Sequence, residues 1–260
     1  MANFNAYSFI YDGIPCDIYG LMIADLDGNG EKEQDTFSSQ IRTVTLPQSY
    51  EHIFMGYESK DPLQFQMTMV SENKIDAYTS GKISEWLLNR NGFLKLQVIQ
   101  ADLTAIVYYC MFTKMKVINI AGYTHAFTVD VLTNSPYQYE NNKIISKVIT
   151  TSGTMSIVNN SDINDYIYPN VTITSTAGGN VTITNTSDAN RAFTITGLAS
   201  GEVITISGKC QTLVSSTSLN RLGNFNKHWM RLKRGTNALT ITGSATISFE
   251  IPVIRMVGTG

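Results

Sequence analysis

One four-residue pattern constrains the second half of this chain more than any other feature. It has the form x-Thr-Ile-[Thr/Ser] with x apolar. It occurs at Val171, Val181, Phe193, Ile204, Leu239 and Ala245. Each copy alternates apolar and hydroxyl side chains and is rich in β-branched residues, so each reads as a strand with Thr or Ser on the wet face. The first four copies start 10, 12 and 11 residues apart. Gly178-Gly179, Ser187-Asp188-Ala189-Asn190 and Ser200-Gly201 separate them and read as turns, the first as a hairpin turn. Strands at that spacing predict an antiparallel β-sandwich. A gap of 35 residues from Ile204 to Leu239 breaks the period and excludes a solenoid.

The first half follows a different plan. "RTVTLP", "LQFQMTMV", "FLKLQVIQ", "IVYYCMFTKMKVINI" and "HAFTVDVLT" read as strands. Between them, Ile75, Thr79, Ile83, Trp86 and Leu87 fall on one helical face. Ser71 is the expected cap of that helix, with Glu72 in its first turn, and Asn91-Gly92 its expected end. One helix on a β-sheet makes this half α+β. The start of the chain reads as Phe9-Ile10-Tyr11, a tight turn at Asp12-Gly13, and a second strand running through Asp17 and Tyr19-Gly20-Leu21 into Met22-Ile23.

Composition shifts near "NSPYQYENNK", from Tyr, Met, Phe and Asp upstream to Thr, Ser, Asn and Ile downstream. Charge shifts with it. Residues 1–140 hold 9 Lys/Arg and 16 Asp/Glu, for −7; residues 141–260 hold 10 and 5, for +5. Two domains are expected, 1–140 and 141–260.

Several function classes find no support. The N-terminal "MANFNAYSFIYDG" lacks the basic and apolar regions of a signal peptide, and no stretch reaches the roughly 20 apolar residues of a membrane span. Cys16, Cys110 and Cys210 are odd in number and far apart, and read as buried small residues in a reducing compartment. The N-x-[ST] sites at Asn159, Asn170, Asn180 and Asn185 follow from composition. Asp25, Asp27, Asn29 and Gly30 open like a calcium loop, but position 12 is Thr36, a lone hydroxyl where a bidentate carboxylate is needed. The segment reads as an exposed acidic turn. His52, His125 and His228 have no partner at metal-ligand spacing, and no nucleophile elbow or phosphate loop is present. The sequence therefore assigns no catalytic, cofactor-binding or metal residue, and no cofactor.

Lys227, Arg231, Lys233 and Arg234, with His228 and Trp229 among them, form the densest basic cluster. It reads as a strand with solvated alternate positions and with Trp229 and Leu232 turned inward. The competing reading is a patch for nucleic acid or an acidic partner.

Three stretches together resemble the distal tail protein family of long non-contractile-tailed bacteriophages. They are "FIYDGIPCDIYGLMI", the helix "KIDAYTSGKISEWLLN" followed by "NGFLKL", and "FNKHWMRLKRGTNALTITGSATISFEIPVIR". The resemblance implies a mainly β protein: an N-terminal α+β ring-forming domain, then a galectin-like antiparallel β-sandwich. It implies a structural, non-enzymatic hub, assembled in the bacterial host cytoplasm and carried at the virion tail tip. Its expected partners are further copies in a hexameric ring, the tail-tube protein, the tail-tip protein and a receptor-binding protein. DNA would pass the channel without specific binding, and no membrane insertion is implied. The alternative is a carbohydrate-binding or adhesion module. Sugar-binding galectins carry His-x-Asn-x-Arg and Trp-Gly-x-Glu strands; here "HWMRL" lacks the Asn, and Met230 replaces the Gly. A galectin-like fold would not by itself imply galactoside binding.

Overall fold

The computed structural model describes residues 6–24, 39–47, 50–100 and 106–256. The Asp25–Thr36 turn lies outside the described residues. The chain forms two compact units, Met1–Tyr139 with Met256–Gly260, and Glu140–Arg255.

In the first unit the strands are β1 (Ala6–Tyr11), β2 (Ile14–Pro15), β3 (Leu21–Ile23), β4 (Ser39–Thr45), β5 (His52–Lys60), β6 (Gln64–Ile75), β7 (Leu94–Gln100), β8 (Ile106–Ile120) and β9 (Tyr123–Thr133). Helix α1 (Ala77–Leu88) lies between β6 and β7. All pairings are antiparallel, in the order β3-β6-β9-β8-β7-β1-β2. The alternation in β6 puts Phe65, Met67 and Met69 inward. The helical stripe does the same for Ile83, Trp86 and Leu87. Trp86 anchors this core. It stacks on Phe9 at 5.8 Å and on Tyr19 at 5.2 Å, and its indole N–H donates to the Tyr11 carbonyl at 3.3 Å. Burying so large a ring stabilises the unit by several kcal/mol, and its one polar atom is satisfied.

Three local expectations are corrected here. The helix is capped by Asp76, which accepts from the Thr79 N–H at 2.7 Å, not by Ser71. Strand β6 continues past Ser71 to Ile75, across a shift in register after Val70, so the cap falls later. The helix ends at Leu88, three residues before Asn91. The initial hairpin turns at Asp12 (φ 52°) and Gly13 (φ 75°), as the left-handed preference of Asp-Gly dictates. Its return strand is only Ile14–Pro15, however. A 3-10 turn over Cys16–Tyr19 then redirects the chain, and β3 pairs with β6 instead.

The second unit comprises most of β10 (Tyr137–Ile149) and β18 (Ala245–Met256), with β11 (Ser152–Asn159), β12 (Asn170–Ser175), β13 (Gly179–Asn185), β14 (Arg191–Leu198), β15 (Val203–Ser207), β16 (Thr212–Ser215) and β17 (Gly235–Thr242). One sheet runs β16-β15-β12-β18-β10, the other β11-β17-β13-β14. All six tetrads lie in strands, and in every one both the x residue and the Ile are buried. Their side chains fill the space between the sheets. The Thr and Ser positions face outward, where Thr182 and Thr194 meet at 3.1 Å. Gly178-Gly179 is not a hairpin turn: β12 and β13 belong to different sheets, so the glycines carry the chain across the core. Gly243 makes the same kind of crossing between β17 and β18 at φ 110°, and a Cβ there would lie 2.3 Å from the Asn180 carbonyl oxygen. That is the physical reason for glycine in "TGSA".

Candidate assembly and recognition surfaces

Two surfaces concentrate features that a free-standing domain does not need. The first is the β4–β5 ribbon. Val44 faces Ile53, Thr43 faces Phe54 and Thr45 faces His52. Among the described residues these two strands pair with each other and with no other strand. Ile41, Val44, Leu46, Ile53, Phe54 and Met55 are all exposed, Ile41 and Met55 at 59%. A lone two-stranded ribbon is marginal in water, and this one leaves an apolar surface solvated.

The second surface is the segment Phe225–Gly235 at one end of the sandwich. It is not the strand expected from the alternating cluster; its regular contacts are single bridges, Phe225 with Ile195 and Leu232 with Ile167. Side chains hold it instead. Asn226 runs beside β14, accepting from the Thr194 N–H and donating to the Ala192 carbonyl. The Trp229 carbonyl accepts from Arg191. Asn185, at the end of β13, donates to the Arg231 carbonyl at 3.3 Å. Asn237 in β17 accepts from the Lys233 N–H and donates to the Lys233 and Gly235 carbonyls. Asn159, at the end of β11, also donates to the Lys233 carbonyl. The three asparagines Asn159, Asn185 and Asn237 are at most 1% exposed. The segment therefore crosses the end of one sheet, fastened to each strand in turn.

Within it, Arg231 grips Asp188 with two bonds, at 2.7 and 3.1 Å, and lies 3.9 Å above the Tyr166 ring. The Tyr166 hydroxyl donates to the same carboxylate. The Arg231 bonds hold the Asp188 carboxyl below the usual carboxylate range. Lys227, His228, Lys233 and Arg234 are exposed, Arg234 donating to Asn164 at 3.2 Å. Lys227 sits at φ 62°, a left-handed conformation unfavourable for a side chain with a Cβ. Leu232 is fully buried, as expected; Trp229 is only partly so, packing edge-on against Phe225 at 4.8 Å.

Sequence reasoning missed a second buried ion pair. Glu202 is held by Arg221 at 2.6 and 2.8 Å and by the Ser215 hydroxyl at 2.6 Å. The Arg221 bonds, above all, bring its carboxyl down to about 2. Cys16 and Cys110 are buried, and burial pushes the Cys110 thiol up to about 12. Cys210 is exposed, contrary to expectation, because it lies in the turn between β15 and β16. The histidines fall on β5, β9 and the crossing segment. Among the described residues no group of three or more His, Cys, Asp or Glu could hold a metal ion, and no helix is long and apolar enough to cross a membrane.

Residues 4–135 match a family model described as the N-terminal domain of a phage tail protein, and residues 137–251 match the corresponding phage tail C-terminal domain. The chain belongs to this phage tail protein family. The solved structure of the SPP1 Dit protein, described as a paradigm of the hub adsorption apparatus in phages infecting Gram-positive hosts, is similar. Its TM-score is 0.69 over 94% of this chain and 98% of that one, at 13% sequence identity. The tail protein thus has a mainly β, Dit-like fold, and the resemblance drawn from its sequence is borne out. No curated protein sequence matches it.

Proposed function

We propose that this tail protein is the distal hub of a long non-contractile tail. Copies close into a ring, six by the resemblance, that joins the tail tube to the tip and host-adsorption proteins. Its role is mechanical and involves no catalysis. The β4–β5 ribbon carries this reading. A solvated ribbon with six large apolar side chains exposed gains stability by lying against a neighbouring copy. A ring follows when such a head-to-tail contact repeats with a rotation that closes. The fold shared with the Dit hub supports the same role.

The channel of the ring would let DNA pass. The −7 charge of residues 1–140 fits a wall that does not bind DNA, and five of its sixteen carboxylates fall within Asp25–Asp35. Assembly would occur in the bacterial host cytoplasm.

Light scattering and negative-stain imaging of the purified full chain, alone and with the purified tail-tube protein, test the reading. Rings, formed alone or on the tube protein, are expected. A monomer under both conditions, together with a specific hit on a glycan array, would replace the hub by the carbohydrate-binding alternative.

A further inference from the structure

We infer that the Phe225–Gly235 crossing is a preorganised cationic platform that docks an acidic protein surface. This is independent of the ring reading, which rests on the other unit.

The argument begins with what holds the segment. Side-chain bonds from β14, β13, β17 and β11 fix an irregular backbone across the end of a sheet. With strands about 4.8 Å apart, the crossing from β14 to β11 spans roughly 14 Å. Three nearly inaccessible asparagines and a two-bond Arg231–Asp188 pair are devoted to it. Buried polar groups are costly unless fully satisfied, and an apolar core would serve stability at least as well. What they secure is conformation. That conformation includes a left-handed Lys227, which persists only because the surroundings over-determine it.

The fixed backbone presents Lys227, His228, Lys233 and Arg234 to solvent. None of these side chains contributes to the core. Arg231 and Tyr166 already engage Asp188, and the exposed Asp165 lies on the adjoining loop. The result is a mixed surface with cations in excess and their spacing set. Prearranged rim charges of this kind choose a partner and steer it in, and they lose little entropy on docking.

An acidic protein fits better than nucleic acid. Nucleic-acid tracks combine backbone cations with aromatic faces on which bases stack. Here Trp229 is partly buried against the core, and Arg231 already lies over one face of Tyr166. The carboxylates of Asp188 and Asp165 beside the cations disfavour a continuous phosphate backbone.

The test uses the full-length protein and labelled poly-L-glutamate as the stand-in for an acidic surface, followed by fluorescence anisotropy at low and physiological salt. A 20-base-pair DNA duplex forms the second arm. The variants are Lys227→Glu/Lys233→Glu/Arg234→Glu and, as a control of equal charge change, Lys95→Glu/Lys114→Glu/Lys116→Glu on exposed positions of the first unit. The platform variant should bind polyglutamate at least about tenfold more weakly. The control should stay within about twofold, and DNA should bind more weakly than polyglutamate. Absence of binding by the unaltered protein, an equal loss in the control, or tighter binding of DNA would each overturn the inference. Unchanged melting of both variants ensures that a loss is read as contact, since all six side chains are exposed.

Discussion

The β4–β5 ribbon and the Phe225–Gly235 crossing are opposites. The ribbon is regular: its backbone forms a ladder, its register is defined, and its residues have the β-branched and aromatic character of a strand pair. Yet among the described residues no other strand pairs with it, Lys60 reaches out to the Tyr137 hydroxyl, and six of its large apolar side chains are exposed. The crossing has no ladder beyond two bridges, yet four strands secure it and Leu232 is sealed in the core. Regular secondary structure and local support are therefore separate properties. A regular element whose apolar side chains are left exposed points to contacts made outside the chain. An irregular element with full support points to a shape that is itself the product.

The largest effect that could break this contrast concerns the ribbon. Ile41→Asp/Ile53→Asp should leave the melting temperature of the isolated chain nearly unchanged and weaken self-association by about 100-fold or more, as loss of a buried apolar centre does. Analytical ultracentrifugation over a concentration series reads this. A large fall in melting temperature with association intact would show that the ribbon belongs to the fold.

The crossing should respond the other way. Asn237→Ala takes the acceptor from the Lys233 N–H and from Asn185, removes a donor from the Gly235 carbonyl, and leaves the Lys233 carbonyl with Asn159 alone of its two asparagine donors. A destabilisation of about 3 kcal/mol is expected, visible as a lower urea midpoint for the sandwich. A change inside about 0.5 kcal/mol would mean the asparagines are dispensable and the crossing holds itself.

Acid sharpens the same point. The folded carboxyl of Asp188 titrates below its unfolded counterpart, chiefly through the Arg231 bonds. Its stabilising share is complete above the unfolded value and fades as pH falls through the folded one. Asp188→Asn should therefore melt below the unaltered protein at neutral pH, and the gap should close in strong acid. Parallel curves at every pH would remove Asp188 from the account.

The smallest effect is at Lys227. Replacement by glycine relieves the left-handed backbone, for a gain of about 1 kcal/mol, while polyglutamate binding falls. If the variant is both no more stable and binds as before, the strain has no bearing on the platform.

How far the sequence disclosed all this depends on the range of the signal. The six tetrads were legible because a period of two in β-branched residues acts over four positions, and burial followed it without exception. The helical stripe was legible for the same reason, while its cap was not: Ser71 and Asp76 are both good caps, and only the continuation of β6 decides between them. The crossing was invisible. Arg231 finds Asp188 43 residues away and Arg221 finds Glu202 19 residues away, with no local pattern linking them. The ribbon was half legible: "RTVTLP" read as a strand, but alternation says which residues share a face and nothing about whether that face is covered.

The two sheets of the sandwich have one further property. In one, β18 lies between β12 and β10; in the other, β17 lies between β11 and β13. Both central strands come from residues 235–256, after every other strand of the unit has been synthesised. Ile173 meets Ile247, and Met155 meets Leu239, across more than seventy residues of chain. Until that late hairpin-length stretch emerges, β12 lacks its partner on one side, and β11 and β13 have no strand to join them. The β12–β15 and β13–β14 pairs can form before then, but neither sheet is continuous until the last two strands take their places between the earlier ones.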